Sequence, residues 1–125
     1  MLQAGQITRA CAVGIFFWFV AAMTVRAGGS LFGGWGSAGM FAAAVPLLWV
    51  AVLIIRKLAR LQASQLVAGC ALATGAAAFC DGIALTWFRP MYGTDSDQIV
   101  LGAAWILWGA GMALVLAYVE AERRG

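Results

Sequence analysis

The sequence predicts an all-α integral membrane protein, folded as a single four-transmembrane-helix bundle over residues 1–125 with both termini cytoplasmic. Hydrophobic residues make up 64% of its 125 residues, whereas charged residues make up only 10%. Soluble domains carry about 25% charged residues, and even a domain of about 150 residues buries only about 70% of its surface. A water-soluble fold of this length could not hide so much apolar surface, so the expected solvent is the lipid bilayer.

Four apolar runs are each long enough to cross about 30 Å of hydrocarbon. No water inside a bilayer can satisfy backbone groups, so each run is expected to be helical. The predicted helices cover residues 10–25, 38–55, 65–88 and 98–119.

Capping and breaking residues mark the ends of these helices. Ser64 is predicted to be the N-cap of the third helix. Pro90 is expected to stop that helix. Asp95, with Gln98 three residues later, resembles a capping box at the start of the fourth helix.

The basic residues predict the orientation. One side of the membrane receives six of them: Arg9, Arg56, Lys57, Arg60, Arg123 and Arg124. The other side receives only Arg26 and Arg89. Cytoplasmic loops carry the excess of Lys and Arg, so both termini are expected inside the cell. The net charge of +3 does not indicate a nucleic-acid partner, because the basic residues lie between apolar runs and form no stripe with aromatic residues.

Several kinds of chemistry are excluded or disfavoured. Histidine is absent, which excludes His-ligated haem, His-based metal sites and a Ser-His-Asp triad within the chain. Cys11, Cys70 and Cys80 all lie in apolar runs without a Cys-x-x-Cys pair, so they are interpreted as unpaired, small apolar residues. We therefore predict no cofactor, no metal, no catalytic residue and no enzymatic activity.

One acidic residue, Asp81, lies inside the apolar stretch "AAFCDGIALTWF". Counting 1.5 Å per residue back from Arg89 places it about 12 Å below the outer surface. The same counting along the other helices places four further residues near this depth: Trp18, Pro46, Trp105 and, one turn deeper, Trp108.

This polar layer has two interpretations, which the residues leave open. Indole N–H groups and a backbone carbonyl freed near Ala42 by Pro46 could line a pocket with Asp81 for a proton, a cation or a polar headgroup. Alternatively, the tryptophans are interfacial or packing residues, and Asp81 forms a structural ion pair with Arg26 or Arg89.

Small residues at intervals of four predict close helix packing. Gly69, Ala73 and Ala77 precede Asp81 on one face of the third helix. The fourth helix has a similar stripe: Gly109, Ala113 and Ala117. Such stripes let membrane helices approach closely, so Asp81 is expected to face a helix–helix contact and not lipid.

Three segments, "FFWFVAAMTVR", "FCDGIALTWF" and "WILWGAGMAL", carry a family resemblance. Over about residues 14 to 117 the chain resembles small bacterial four-helix membrane proteins of the domain of unknown function 5367 family. The resemblance implies a multi-pass protein of the bacterial inner membrane with an acid at Asp81, and it implies no reaction. The segment "RPMYGTDSDQ" departs from the more polar, proline-bearing segment expected after the third helix.

These observations favour an accessory or scaffolding subunit that packs against a larger membrane complex, with the lipid bilayer and other membrane subunits or further copies as partners. The alternative is an oligomeric small transporter or channel that uses Asp81 as a proton or cation site. A membrane enzyme is least favoured, because catalysis usually needs several convergent polar groups.

Overall fold

The computed structural model describes residues 1–29 and 31–125 in full and residue 30 by its backbone. Four long helices follow one another along the chain: α1 (Ala4–Gly28), α2 (Trp35–Leu58), α3 (Leu66–Trp87) and α4 (Ser96–Arg124). Short 3-10 turns connect them at Gly29–Phe32, Ala63–Gln65 and Arg89–Tyr92. All four helices are long and apolar enough to cross a membrane.

Three of the four helices, α1, α2 and α4, begin before and end after the predicted apolar segments. Asp95 is the N-cap of α4, as predicted, and its Oδ1 accepts a hydrogen bond from the backbone N–H of Asp97 at 2.9 Å. The predicted capping box is wrong in its second half, because Gln98 makes no side-chain hydrogen bond with the described residues. The predicted N-cap Ser64 is wrong. Gln62 and Gln65 form the capping box at that position, and Ser64 lies within the 3-10 turn.

The helices pack in an order different from their order in the sequence. α1 makes its most extensive contact with α3, while α4 packs against both α2 and α3. α1 and α2, although consecutive, touch only slightly. One end of the bundle, which we call the basic end, carries the six basic residues that were predicted to face the cytoplasm: Arg9, Arg56, Lys57, Arg60, Arg123 and Arg124. The opposite end carries Arg26 and Arg89.

Two apolar clusters form the interior. The cluster nearer the basic end is built around Val52, Ile55, Leu66, Cys70 and Ala117. The cluster at the opposite end is built around Val25, Phe32, Ala84, Tyr92 and Ile99. The second cluster contains loop residues as well as helix residues, so the connections close that end of the bundle.

The predicted small-residue stripe of α3 packs against α1. A Cβ atom at Gly14 would overlap the backbone of Ala73, so the two helix backbones are in direct contact there. Gly69 is buried against the side chain of Leu61. Ala117 is also buried, while Ala77, Gly109 and Ala113 are half-buried.

A short repeat that the sequence analysis missed joins the helix starts at the basic end. The segments "LQAGQ" (2–6) and "LQASQ" (61–65) each form a capping box. Gln6 Nε2 donates to Gln65 Oε1 at 3.1 Å and to the Arg60 carbonyl at 2.9 Å. The repeated glutamines therefore tie the start of α1 to the connection before α3.

Candidate functional site

The carboxylate of Asp81 ends a chain of hydrogen bonds that joins three elements. Its Oδ1 accepts from the phenol of Tyr92 at 2.6 Å. The Tyr92 oxygen in turn accepts from the indole N–H of Trp18 at 3.0 Å. Asp81 belongs to α3, Trp18 to α1, and Tyr92 to the 3-10 turn that follows α3. We call this group the Trp18–Tyr92–Asp81 chain.

Local sequence brings Tyr92 back over the end of α3. The helix ends at Trp87, and Pro90 occupies the start of the Arg89–Tyr92 turn, where its fixed φ suits the turn and its missing N–H is not needed. Gly93 then adopts φ 139°, a value that L side chains rarely take, as the chain leaves the turn for α4. As a result Tyr92 is only 1% exposed and belongs to the apolar cluster at this end.

The Tyr92 hydroxyl donates one hydrogen bond, to Asp81, and accepts one, from Trp18. Burial, together with the hydrogen bond to Asp81, raises the pKa of the phenol above its ordinary value, so the group keeps its proton and remains a donor. Asp81 itself is half-buried. Its second oxygen, Oδ2, makes no hydrogen bond with the described residues and is not among the atoms sealed from solvent.

Neither predicted ion pair to Asp81 forms. The structure places Arg26 and Arg89 on the exposed surface, and in the described part of the chain the only ion pairs involve Glu120. Arg89 Nε instead donates to the Leu85 carbonyl at 3.1 Å and so caps the end of α3. Because a guanidinium keeps its hydration at the end of the bundle, the neutral phenol of Tyr92 takes the buried position beside Asp81.

The other predicted members of the polar layer make no hydrogen bond to Asp81, although Trp105 packs against the same apolar cluster as Tyr92. Trp105 Nε1 donates to the Met40 carbonyl at 2.9 Å, and Trp108 Nε1 donates to the Phe41 carbonyl at 3.2 Å. Both indoles therefore join α4 to the start of α2. Pro46 is exposed on α2, which continues through it. Depth counting placed these residues at similar heights, but it could not reveal which way each helix is rotated.

No protein-family model, curated protein or solved structure matches this chain.

The chemistry available to the site is that of one carboxylate with one donor. The described residues contain no group of three or more His, Cys, Asp or Glu side chains that could hold a metal ion. The three cysteines are free. A carboxylate in this setting can clamp the Arg89–Tyr92 turn to α1 and α3, or it can accept a proton or cation at Oδ2. The two completed hydrogen bonds favour the clamp.

Two residues of interest, Tyr92 and Glu120, were not among the predicted site residues. The signal for Tyr92 was its position two residues after Pro90, which ends the preceding helix. Glu120 is a second buried acid, only 1% exposed, near the end of α4. It pairs with Arg124 and Arg123, and their spacing of three and four residues is the usual spacing of helical ion pairs.

Proposed function

We propose that the chain is a multi-pass protein of a bacterial cytoplasmic membrane and serves as an accessory or scaffolding subunit that binds other membrane-spanning chains. Four apolar helices support a membrane location. The bacterial origin rests only on the resemblance to the domain of unknown function 5367 family. In the most apolar 18-residue stretch of each helix, only 22% of the residues are buried inside the bundle. Most of the helical surface is therefore available to lipid or to partner helices.

The observation that carries this proposal is an open strip of small residues on α3. It consists of Ala71, Gly75, Ala78 and Gly82, which we call the α3 outer strip. Apart from the backbone of α3 itself, no atom of the described residues lies within 4 Å of the position that a Cβ would occupy at Gly75 or Gly82, and both alanines are exposed. The other side of α3, with Gly69 and Ala73, is already covered.

Bulky residues border the α3 outer strip. Phe79 is 76% exposed, and Leu72 and Ile83 are exposed as well. These three side chains lie along one side of the strip. A line of small residues lets a second membrane helix approach closely, and close packing of this kind drives helix association in lipid, where burial of apolar surface gives little advantage. The Trp18–Tyr92–Asp81 chain then serves the subunit by holding its outer turn in place.

Filling the α3 outer strip should release the partner. We expect the double variant Gly75→Leu/Gly82→Leu to reduce co-purified membrane chains by about tenfold, because added side chains keep helices apart. Native mass spectrometry of gently solubilised membranes measures the companions. Gly111→Leu is the matched control, since Gly111 on α4 is also exposed with open space around it. Unchanged companions in the double variant, or a wild-type protein released only as a free monomer, would contradict the proposal.

The proposed orientation, with the basic end in the cytoplasm, has its own test. Green fluorescent protein fused after Gly125 should fluoresce, and alkaline phosphatase fused there should be inactive, because the basic end of a membrane protein stays inside. An active phosphatase fusion would reverse the orientation.

A second candidate function rests on Asp81 Oδ2. This atom has no hydrogen-bond donor among the described residues and is not sealed. It could bind a proton or cation in a small oligomeric transporter or channel, since acids within membrane segments mark ion pathways. Its test is the comparison of Asp81 variants described in the Discussion.

A further inference from the structure

Glu120 organises two arginines at the basic end. Its side chain is 2% exposed, its Oε1 accepts from Arg124 Nε, and its Oε2 lies 3.5 Å from Arg123 Nη1. The guanidinium of Arg123 also lies over the ring of Trp49, 5.8 Å from its centroid, within the range of a cation–π contact. The two guanidinium groups are therefore held in place rather than free to sample the solvent.

These two arginines retain most of their hydrogen-bonding capacity. An arginine has five N–H donors. Arg124 uses its Nε on Glu120, and its two Nη groups make no hydrogen bond with the described residues. Arg123 makes only the ion pair from its Nη1 to Glu120, and its other N–H groups have no acceptor among those residues. Their side chains are 43% and 61% exposed, so the free donors are open to a ligand.

The surrounding charge favours an anion. The basic end also carries Arg56, Lys57 and Arg60, whereas Glu122 is the one further acid in the last turns of α4. The Nε of Arg56 is sealed from solvent without a hydrogen-bond partner. Planar guanidinium groups bind phosphate oxygens in pairs, which makes arginine a preferred ligand for phosphate.

The neighbouring surface of α4 is apolar. Val119, one turn before Arg123 on the same side of α4, is exposed, and so is Val115, one turn earlier. A ligand held by the guanidinium groups would lay its attached chain along this surface. We propose that Arg123 and Arg124, held by Glu120, bind the phosphate of an anionic phospholipid at the end of α4. This inference rests on the proposed membrane insertion but not on any partner chain.

The first test measures binding of phosphatidylglycerol to the purified protein in a neutral detergent by native mass spectrometry. Each arginine near a membrane surface contributes about fivefold in affinity, so Arg123→Gln/Arg124→Gln should weaken binding on the order of 25-fold. Arg26→Gln/Arg89→Gln, at the opposite end, should leave it unchanged. Phosphatidylcholine and inorganic phosphate should bind far more weakly than phosphatidylglycerol. Equal losses in the two double variants, or equal binding of inorganic phosphate, would overturn the site.

Glu120→Gln separates a built site from general charge attraction. The substitution removes a negative charge, so attraction to the basic end alone predicts tighter binding of phosphatidylglycerol. If Glu120 holds the arginines in place, their side chains are free in the Gln variant and must be ordered when the lipid binds. We then expect the affinity for phosphatidylglycerol to fall about fivefold. Tighter binding would refute the proposal.

Each variant is first incorporated into phosphatidylcholine nanodiscs and its melting temperature measured. Failure of the wild type to incorporate would refute membrane insertion itself. If Arg123→Gln/Arg124→Gln does not fold, the single variant Arg124→Gln replaces it, and its affinity for phosphatidylglycerol should fall about fivefold.

Discussion

Replacing Gly14 by alanine is expected to destabilise the bundle by about 1–3 kcal/mol, the usual cost of forcing extra atoms into a packed interior. The added Cβ would overlap the carbonyl group and the Cα of Ala73. These are backbone atoms, which cannot swing aside as a flexible side chain can. α1 and α3 would have to separate along their most extensive contact, and the loss is measured as a lower midpoint of unfolding in mild detergent.

Gly75→Ala is the matched control on α3 itself. No atom lies within 4 Å of its Cβ position, so the new methyl group meets open space. Alanine is also the better helix former, so stability should stay level or rise by up to about 1 kcal/mol. If both substitutions lowered the midpoint equally, the backbone contact between Gly14 and Ala73 would not be the cause.

Asp81→Leu is expected to cost about 1–2 kcal/mol, the range for stranding a buried polar group and for the stronger polar contacts between membrane helices. Tyr92 is only 1% exposed, and its hydroxyl would lose its acceptor. Asp81→Asn should cost less, because its amide oxygen can still accept from the phenol. Unfolding midpoints in one detergent rank the variants, and an Asn variant as unstable as the Leu variant would contradict the clamp.

Tyr92→Phe provides an independent check on the same hydrogen-bond chain. It removes the donor to Asp81 and the acceptor from Trp18 without changing the ring. Because Asp81→Leu and Tyr92→Phe break a shared bond, the double variant should lose less stability than the sum of the two losses. Strict additivity would show that Asp81 and Tyr92 do not depend on one another.

The Asn variant also separates the two candidate functions. An amide cannot titrate, so a proton or cation site at Asp81 predicts a stable Asn variant without cellular activity. A clamp predicts a stable Asn variant with full activity. Stability and phenotype must therefore be measured on the same protein, since an unfolded variant loses activity under either function.

Much of the fold could be predicted because its signals are local. The run 38–55 is too apolar to be exposed to water. In lipid its backbone groups could bond only to one another, which predicts a helix, and the structure has α2 over Trp35–Leu58. Asp95 caps α4 through an atom two residues away. The periodicity of Gly69 and Ala73 likewise revealed a packed face before its partner was known.

The partner of each polar group depended on the folded chain. Counting depth along a helix gives a height but neither the rotation of the helix nor the path of its loops. For this reason, none of three residues predicted to lie beside Asp81 bonds to it. Pro46 is exposed, Trp105 donates to a carbonyl of α2, and Arg89 caps the end of α3. Apolar side chains can face either lipid or a neighbouring helix at little difference in free energy, so hydropathy alone does not select the pairing of α1 with α3. That choice depended on the fit of Gly14 against Ala73, a contact between residues far apart in the chain.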